Sequence, residues 1–292
     1  MAESGQKKEN NRSIAGRRII GVAAILLIAL GIVIMLLPTL SEFFINAGHS
    51  KDISRYSENV GAIENSEYVK IIEDAREYNR NLFSRGIIRE MSEDDMTEYM
   101  SRLNMLSSGM MGYIEIGKIG VRLPIYHDAD AEVLQKNIGH VEGTSLPVGM
   151  TPEDIAAGYG AHSMLSGHRG LPSARLFTDL DKLEIGDSFT LTIGTEVLEY
   201  RIDDIQTVLP EEVSSLIQIK EGEDRCTLMT CTPYGINTHR LLVSGVRNWE
   251  NGNAEETGIP GGIHWYYFIA PVVTVILTLW LILLKRKRSD NR

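Results

Sequence analysis

Cysteine is scarce in this chain of 292 residues, which contains only Cys226 and Cys231. Two cysteines are too few for a disulfide framework. If both lie on one strand, their separation places them on opposite faces, so we expect two free thiols. The sequence also lacks a zinc-ligand pattern, a Walker loop and a dinucleotide-binding fingerprint, so we expect neither a metal nor a cofactor.

Positive charge is also in short supply. The chain has 29 Lys and Arg against 39 Asp and Glu, which gives a formal net charge of −10. This balance argues against nucleic acid as a partner. The deficit lies in residues 41–264, which hold 19 basic and 36 acidic residues. The two ends of the chain are therefore basic relative to the middle.

Charge is absent from an apolar run between Ile19 and Leu37, which follows Arg17 and Arg18. As a helix the run would span about 28 Å, close to the thickness of a hydrocarbon core. A cleaved signal peptide is the alternative, but the run is long for one and no clear cleavage motif follows it. We therefore expect a cytoplasmic tail over residues 1–18 and a transmembrane helix over residues 19–40.

A second apolar run extends from Trp265 to Leu284 and is followed at once by four basic residues, Lys285–Arg288. A buried core helix is the alternative, but the run is apolar on all sides. We expect a linker over residues 251–263, a transmembrane helix over residues 264–284 and a basic cytoplasmic tail over residues 285–292. The chain is thus predicted to cross the cell membrane twice, in contact with lipid, with both termini cytoplasmic and the middle extracellular.

The extracellular part is predicted to have two sections. Residues 41–110 contain helical patterns over Ser66–Leu82 and over Ser92–Leu106, and we expect these helices to form a stalk or a cap. The second begins with Ser92 and Asp95 at the spacing of a capping box. Residues 111–250 hold short alternating runs separated by Gly and Pro, which predicts a mostly antiparallel β-barrel or sandwich.

Cys231 stands at the end of a predicted strand. Alternation along the strand places Thr227, Met229 and Cys231 on one face, and Cys226 on the other. A cysteine at a strand end can act as a nucleophile where its thiolate is stabilised, although a lone cysteine is more often a small buried hydrophobic residue.

Two further residues could support a thiol nucleophile. His168 lies between glycines in Ser166–Gly170, which predicts an exposed turn, and we favour it over His162 as a general acid or base. Arg240 opens the strand after the cysteine loop and would approach Cys231 if the two strands form a hairpin. Its guanidinium could then donate to a developing oxyanion; a surface arginine in an ion pair is the alternative.

The run TLMTC, Thr227–Cys231, resembles the TLxTC signature of sortases, the cysteine transpeptidases of Gram-positive cell surfaces. Further stretches are similar to class C sortases, which assemble pili. They are LPIYH from Leu123, GHVEGTSLPVG from Gly139, SGHRGLPSARLFTDLDKLEIGD from Ser166, and TCTPYGINTHRLLV from Thr230. The resemblance implies a closed sortase-type β-barrel with N-terminal helices, flanked here by the two expected transmembrane helices.

The resemblance also implies the chemistry. Cys231 corresponds to the family nucleophile, His168 to its histidine and Arg240 to its arginine. The expected reaction cleaves an LPXTG-like sorting signal of a pilin between Thr and Gly through a thioester, then transfers the pilin to a lysine amine of a second pilin. A sortase that anchors proteins to peptidoglycan is the alternative. A non-enzymatic adhesin or assembly scaffold is a more remote one.

The chain departs from the class C pattern in three places. No proline lies between Pro38 and Pro124, so the Asp-Pro-aromatic motif of the usual lid is absent. Asp128 and Met150 stand where the family usually has glycine. The segment Ser84–Asp95 could still cover the site, but without a proline-fixed turn we expect it to be held less firmly and Cys231 to be accessible.

Overall fold

The computed structural model describes residues 2–106, 108–127, 131–171 and 174–250. The predicted linker, second transmembrane helix and basic tail therefore lie outside the described residues, as does Asp128. Residues 1–43 and residues 44–261 belong to different compact units, and each is considered by itself.

Helix α1 runs from Ala2 to Ala62 and contains the first apolar run. By length and composition its part Ala23–Ala62 could cross a membrane, a test that a signal sequence also passes. The helix does not end with the apolar run, because it continues through Pro38. The sequence after Pro38 is more polar. Three of its apolar residues, Ile53, Tyr56 and Val60, are buried in the second unit.

Two shorter helices follow, as the sequence predicted. Helix α2 spans Asn65–Arg85, and Gly86 ends it with a φ of 80°. Helix α3 spans Glu93–Ser101 and has the predicted capping box. The Asp95 N–H donates to Ser92 Oγ at 3.1 Å, and the Ser92 N–H donates to Asp95 Oδ2 at 3.2 Å. These reciprocal bonds satisfy two of the backbone donors that a helix start leaves unpaired.

The two helices that the sequence suggested as a stalk or a cap contribute side chains to the main hydrophobic core. Asn79 of α2 is fully buried; its Nδ2 donates to the Leu146 carbonyl at 3.0 Å, and its Oδ1 accepts from the Leu146 N–H at 2.7 Å. The apolar face of the two helices packs into the same core as the strands, through Ile72, Ala75, Tyr78, Leu82 and Tyr99. The helices therefore complete the domain.

Eight strands form a closed barrel, which confirms the predicted mostly β architecture. The strands are β1 Met110–Ile116, β2 Val121–Tyr126, β3 Ile138–His140, β4 Ala161–Ser166, β5 Ser188–Ile193, β6 Glu196–Val208, β7 Asp224–Thr232 and β8 His239–Arg247. Around the barrel they follow the order β1-β2-β3-β4-β7-β8-β6-β5, with β5 paired back to β1. The pairs are antiparallel apart from β2–β3 and β4–β7, which are parallel.

Short helices connect some of the strands. They are α4 Ala131–Leu134, α5 Pro152–Ala156 and α6 Val213–Leu216. Thr151 caps α5 in a second capping box with Asp154, and Pro152 occupies the first turn, where its missing N–H is harmless. The parallel β4–β7 pair places the turn after β4 beside the end of β7. This arrangement brings the predicted site residues into one region of the barrel.

Candidate active site

Strand β7 separates the two cysteines by face, as alternation predicted. Cys226 and Leu228 are fully buried, whereas Met229 and Cys231 are partly exposed. Both thiols are free. Burial, and then the nearby Asp224 carboxylate, raise the pKa of the Cys226 thiol well above its ordinary value. Cys226 is therefore held as a protonated thiol, whereas Cys231 ends the strand where another molecule can reach it.

Arg240 lies directly opposite Cys231 in the β7–β8 hairpin, which confirms the predicted pairing of the two strands. Its Nη1 donates to the His239 carbonyl at 3.1 Å and to the Asn237 carbonyl at 3.4 Å. Within the part of the chain that the structure describes, Arg240 forms no ion pair. The described residues therefore do not support the alternative, an arginine that serves in a surface ion pair. Apart from Nη1, the guanidinium N–H groups of Arg240 remain available to a ligand.

The loop between β7 and β8 is short and exposed. Its backbone turns after a cis peptide bond between Thr232 and Pro233, and the N–H groups of Ile236 and Asn237 both donate to the Pro233 carbonyl at 3.0 Å. Gly235 and Asn237 have positive φ, a conformation that these two residue types tolerate best. The loop returns the chain so that Arg240 meets Cys231.

His168 lies in a turn that is attached to β7 on both sides of Cys231. Before the histidine, the Gly167 N–H donates to the Met229 carbonyl at 3.1 Å, and Thr230 Oγ1 donates to the Gly167 carbonyl at 2.7 Å. The turn thus runs beside the last residues of β7. His168 is partly exposed, and its imidazole forms no hydrogen bond with the residues that the structure describes.

Glycine is required at both ends of this turn. A Cβ on Gly167 would lie 2.7 Å from the ring of buried Phe177. Gly170 has a φ of 78°, and a Cβ there would lie 3.2 Å from the ring of Tyr234 in the β7–β8 loop. The glycines therefore let the histidine turn pack closely against both the interior and the loop that follows Cys231.

Arg169 is a site residue that the sequence analysis did not identify. Its side chain is 7% exposed, and its guanidinium contacts Thr178, Asp181 and Thr232. The signal was an arginine next to the candidate histidine. It could not be interpreted because its partners are nine or more positions away in the sequence.

His162 is in the barrel wall and has a different environment from His168. It is 5% exposed; its Nδ1 lies 2.9 Å from the Gln218 carbonyl and its Nε2 lies 2.7 Å from Thr227 Oγ1. Thr227 Oγ1 is in turn 2.8 Å from Ser244 Oγ. Burial is the main cause that lowers the pKa of His162, to about 4. A neutral imidazole with both nitrogens occupied is suited to a structural role.

A second apolar cluster lies beside β7 and includes Met229, two residues before Cys231. Met164, Ile217 and Leu242 are buried in one hydrophobic cluster there. Partly buried apolar side chains surround them, namely Ile87, Val141, Val208, Val213 and Met229. Ile87 comes from the segment that the sequence suggested as a cover, and the N–H of its neighbour Ile88 donates to the Gly143 carbonyl at 3.0 Å. The segment therefore packs against the same apolar cluster as Met229, which lies two residues before Cys231.

Known proteins are similar to this chain in sequence and in fold. A family model for the sortase domain matches residues 114–248. The crystal structure of sortase C1 from Streptococcus agalactiae is 46% identical in sequence, with a TM-score of 0.63, and the match covers 68% of this chain and 98% of that one. The chain belongs to the sortase family.

Other relatives include sortases of class C and of other classes. Sortase C from Clostridium perfringens, solved with the C-terminal cell wall sorting motif, is 39% identical at a TM-score of 0.57, and the match covers 68% of this chain and 98% of that one. Sortase D from Bacillus subtilis is 28% identical over 140 residues, 47% of this chain and 63% of that protein's length. This sortase therefore has the barrel of the family, and several of its solved structural neighbours are class C sortases. Class C is also the class that the sequence motifs resemble.

Proposed function

We propose that this sortase is a membrane-anchored transpeptidase that joins pilin subunits. Three features support the proposal: the class C structural neighbours, the solved relative with a sorting motif, and the convergence of Cys231, His168 and Arg240. The observation that carries it is the position of Cys231. Arg240 lies opposite it across the hairpin, and the turn with His168 is bonded to β7 at Met229 and Thr230.

The first step forms a thioester. The Cys231 thiolate attacks the carbonyl carbon of Thr in an LPXTG-like sorting signal of a pilin, and Arg240 donates hydrogen bonds to the oxygen that gains negative charge. When the Thr–Gly bond breaks, the imidazolium of His168 gives its proton to the leaving amine. The pilin is then bound to the sulfur of Cys231.

The second step releases the pilin. A neutral lysine amine of another pilin attacks the thioester carbonyl, and the carbon–sulfur bond breaks. The attacking nitrogen loses a proton to neutral His168, which regenerates the imidazolium and the thiolate. The product is an isopeptide bond between two subunits, and no cofactor is needed because the first cleavage conserves the acyl group as a thioester.

The apolar cluster beside Met229 is the surface on which we place the apolar residues of the sorting signal. An extended peptide advances about 3.3 Å per residue, so residues upstream of Thr would lie along β7, away from Cys231. Ile87 is partly buried and packs against this cluster. Peptide entry would therefore require Ile87 to move or to become part of the binding surface.

The membrane position is also a proposal. Helix α1 provides an anchor at the N-terminal end, and the predicted helix over residues 264–284 would provide a second one. We propose two-pass topology with the barrel outside the cell. Protease added to intact protoplasts should digest the barrel and spare both tails; reaction of a C-terminal tag with an impermeant label from outside would contradict two-pass topology.

Transfer to pilin and transfer to the cell wall differ only in the attacking amine. Mass spectrometry of the crosslinked product separates them. The proposal predicts isopeptide bonds between pilin subunits, whereas wall-linked monomers would show that the enzyme anchors proteins to peptidoglycan. The control is the Cys231→Ala variant, which should yield neither product.

A further inference from the structure

Arg169 joins three separate segments of the chain through one buried guanidinium. Its Nε donates to the Thr178 carbonyl at 3.2 Å, its Nη1 donates to Thr232 Oγ1 at 2.9 Å, and its Nη2 pairs with the Asp181 carboxylate. Thr232 is the residue immediately after Cys231, and Arg169 is the residue immediately after His168. A single side chain therefore connects the backbone neighbours of the two proposed catalytic residues.

The connection is important because the imidazole of His168 forms no hydrogen bond with the residues that the structure describes. Among those residues, no second side chain fixes the ring as the acid does in a Ser-His-Asp triad. The contacts that hold the turn therefore help to set the position of the ring. The turn is attached to β7 before Cys231 through Gly167, and Arg169 provides the hydrogen bond to β7 beyond Cys231.

We propose that Arg169 is a positioning residue, which holds the turn of His168 at a fixed separation from Cys231. The inference rests on the proposed roles of His168 and Cys231. A planar guanidinium suits this task because its donors diverge in one rigid plane and can hold three acceptors at once. A lysine would carry the same charge but could not reproduce the planar arrangement of donors.

Loss of Arg169 should slow the chemistry and spare substrate binding. None of the residues that its buried guanidinium contacts, Thr178, Asp181 and Thr232, belongs to the apolar cluster proposed for the peptide. A displacement of about 1 Å between reacting groups can cost on the order of 100-fold in rate. We expect Arg169→Ala to lower kcat about 10- to 100-fold with KM for a sorting-signal peptide changed less than about 3-fold.

The test uses the full-length enzyme in detergent, with concentrations set by active-site titration so that unfolded protein is not counted. Arg175→Ala is the matched control, because Arg175 is on the same connection and pairs with Asp179 on the surface. It should keep kcat within about 2-fold of the parent enzyme. Arg169→Lys should remain impaired, and Thr232→Val should lower kcat several-fold.

A second measurement separates this inference from the proposed function, since it needs no peptide. The rate of Cys231 alkylation by iodoacetamide at pH 7 should fall in His168→Ala, and Arg169→Ala should approach that lower rate. An unchanged rate in His168→Ala would overturn the proposed pairing of His168 with Cys231 and, with it, the role of Arg169. A reduced rate in His168→Ala beside an unchanged rate and kcat in Arg169→Ala would overturn only the inference.

Stability is recorded for each variant, because Arg169 is buried. If Arg169→Ala does not fold, Thr232→Val decides the matter, since it removes one hydroxyl and preserves the side-chain volume. A lower kcat at an unchanged melting temperature in Thr232→Val supports positioning. Normal kcat in Thr232→Val, or an effect confined to the melting temperature, contradicts it.

Discussion

Cys231 and Arg240 face each other across the β7–β8 hairpin, one at the end of its strand and the other near the start of the next. The exposed loop between them has no catalytic candidate and serves to return the chain. An electrophile bound at Cys231 is therefore close to Arg240, whose backbone position is set by the register of the hairpin.

Replacement of each cysteine should have opposite consequences. Cys231→Ala should abolish both cleavage and transfer, because Cys226 is on the opposite face and burial keeps it as a thiol. Cys226→Ala should keep most activity. Peptide cleavage measured on both purified variants checks this, and an active Cys231→Ala beside an inactive Cys226→Ala would reverse the assignment.

Arg240→Lys should be severely impaired, with a loss of about 100-fold or more in kcat/KM. Lysine keeps the positive charge but loses the planar fork that can make two directed contacts. Steady-state kinetics with a sorting-signal peptide measure the loss. Near-normal turnover would mean that Arg240 contributes only a general positive field.

Substitution of His168 and of His162, the two histidines in and after β4, should have different effects on activity. His168→Ala should lose cleavage and transfer. His162→Gln should retain turnover in the folded fraction, because His162 is hydrogen-bonded in the barrel wall to Gln218 and Thr227. Its defect should appear as a lower melting temperature. Loss of turnover in a fully folded His162→Gln would contradict the choice of His168.

Asp224 should give the domain a pH-dependent stability. Burial is the main cause that raises the pKa of this carboxyl to about 6, above the ordinary value of 3.8; the Met150 N–H and Tyr200 hydroxyl both donate to it. The folded state therefore holds the proton more tightly than the unfolded state. The stabilisation is fully present below about pH 3.8 and is lost as the pH rises through about 6.

Asp224→Asn should remove that component. The difference in free energy of unfolding between the parent and the variant should change by up to about 3 kcal/mol between pH 4 and pH 7, in the direction that favours the parent at low pH. Urea unfolding at several pH values measures it. Parallel stability curves for the two proteins would show that Asp224 titrates normally.

The segment Ser84–Asp95 could control the access of reagents to Cys231. Ile87 packs against the same apolar cluster as Met229, and Cys231 is partly exposed, so the proposal of an accessible thiol is kept. Removal of all residues before Met110 is a poor test, because α2 and α3 supply core side chains such as Tyr99 and Leu82. Ile87→Ser is better. Alkylation of Cys231 by a bulky thiol reagent should accelerate less than about 3-fold, whereas a much larger increase would show that Ile87 acts as a lid.

The sequence predicted the parts of the fold that depend on local pattern. Alternation in CTLMTC, together with the spacing to Arg240, indicated a hairpin, and the capping box at Ser92 located the start of α3. It did not reveal that α2 and α3 belong to the barrel core. That result depends on contacts such as Asn79 with Leu146, which are distant in sequence and satisfy buried polar groups.

Strand β3 has no recognisable pattern in the sequence for a related reason. It has only three residues, Ile138–His140, too few for a period to be visible. The connection made by Arg169 was also invisible, because Thr232 is 63 residues away in sequence and comes near Arg169 only when β4 and β7 pair in parallel. Local signals thus identified the candidate nucleophile, histidine and arginine, while the contacts that hold them together required the tertiary structure.

The most direct test of the account is to identify the acyl-enzyme. The full-length protein is incubated with a peptide containing an LPXTG-like sorting signal, without an amine acceptor, quenched in acid and digested for mass spectrometry. The account predicts that the part of the peptide ending at Thr is attached to Cys231 and that the fragment beginning with Gly is released. Attachment at another residue, or release of both fragments without any adduct on Cys231 in the quenched enzyme, would contradict it.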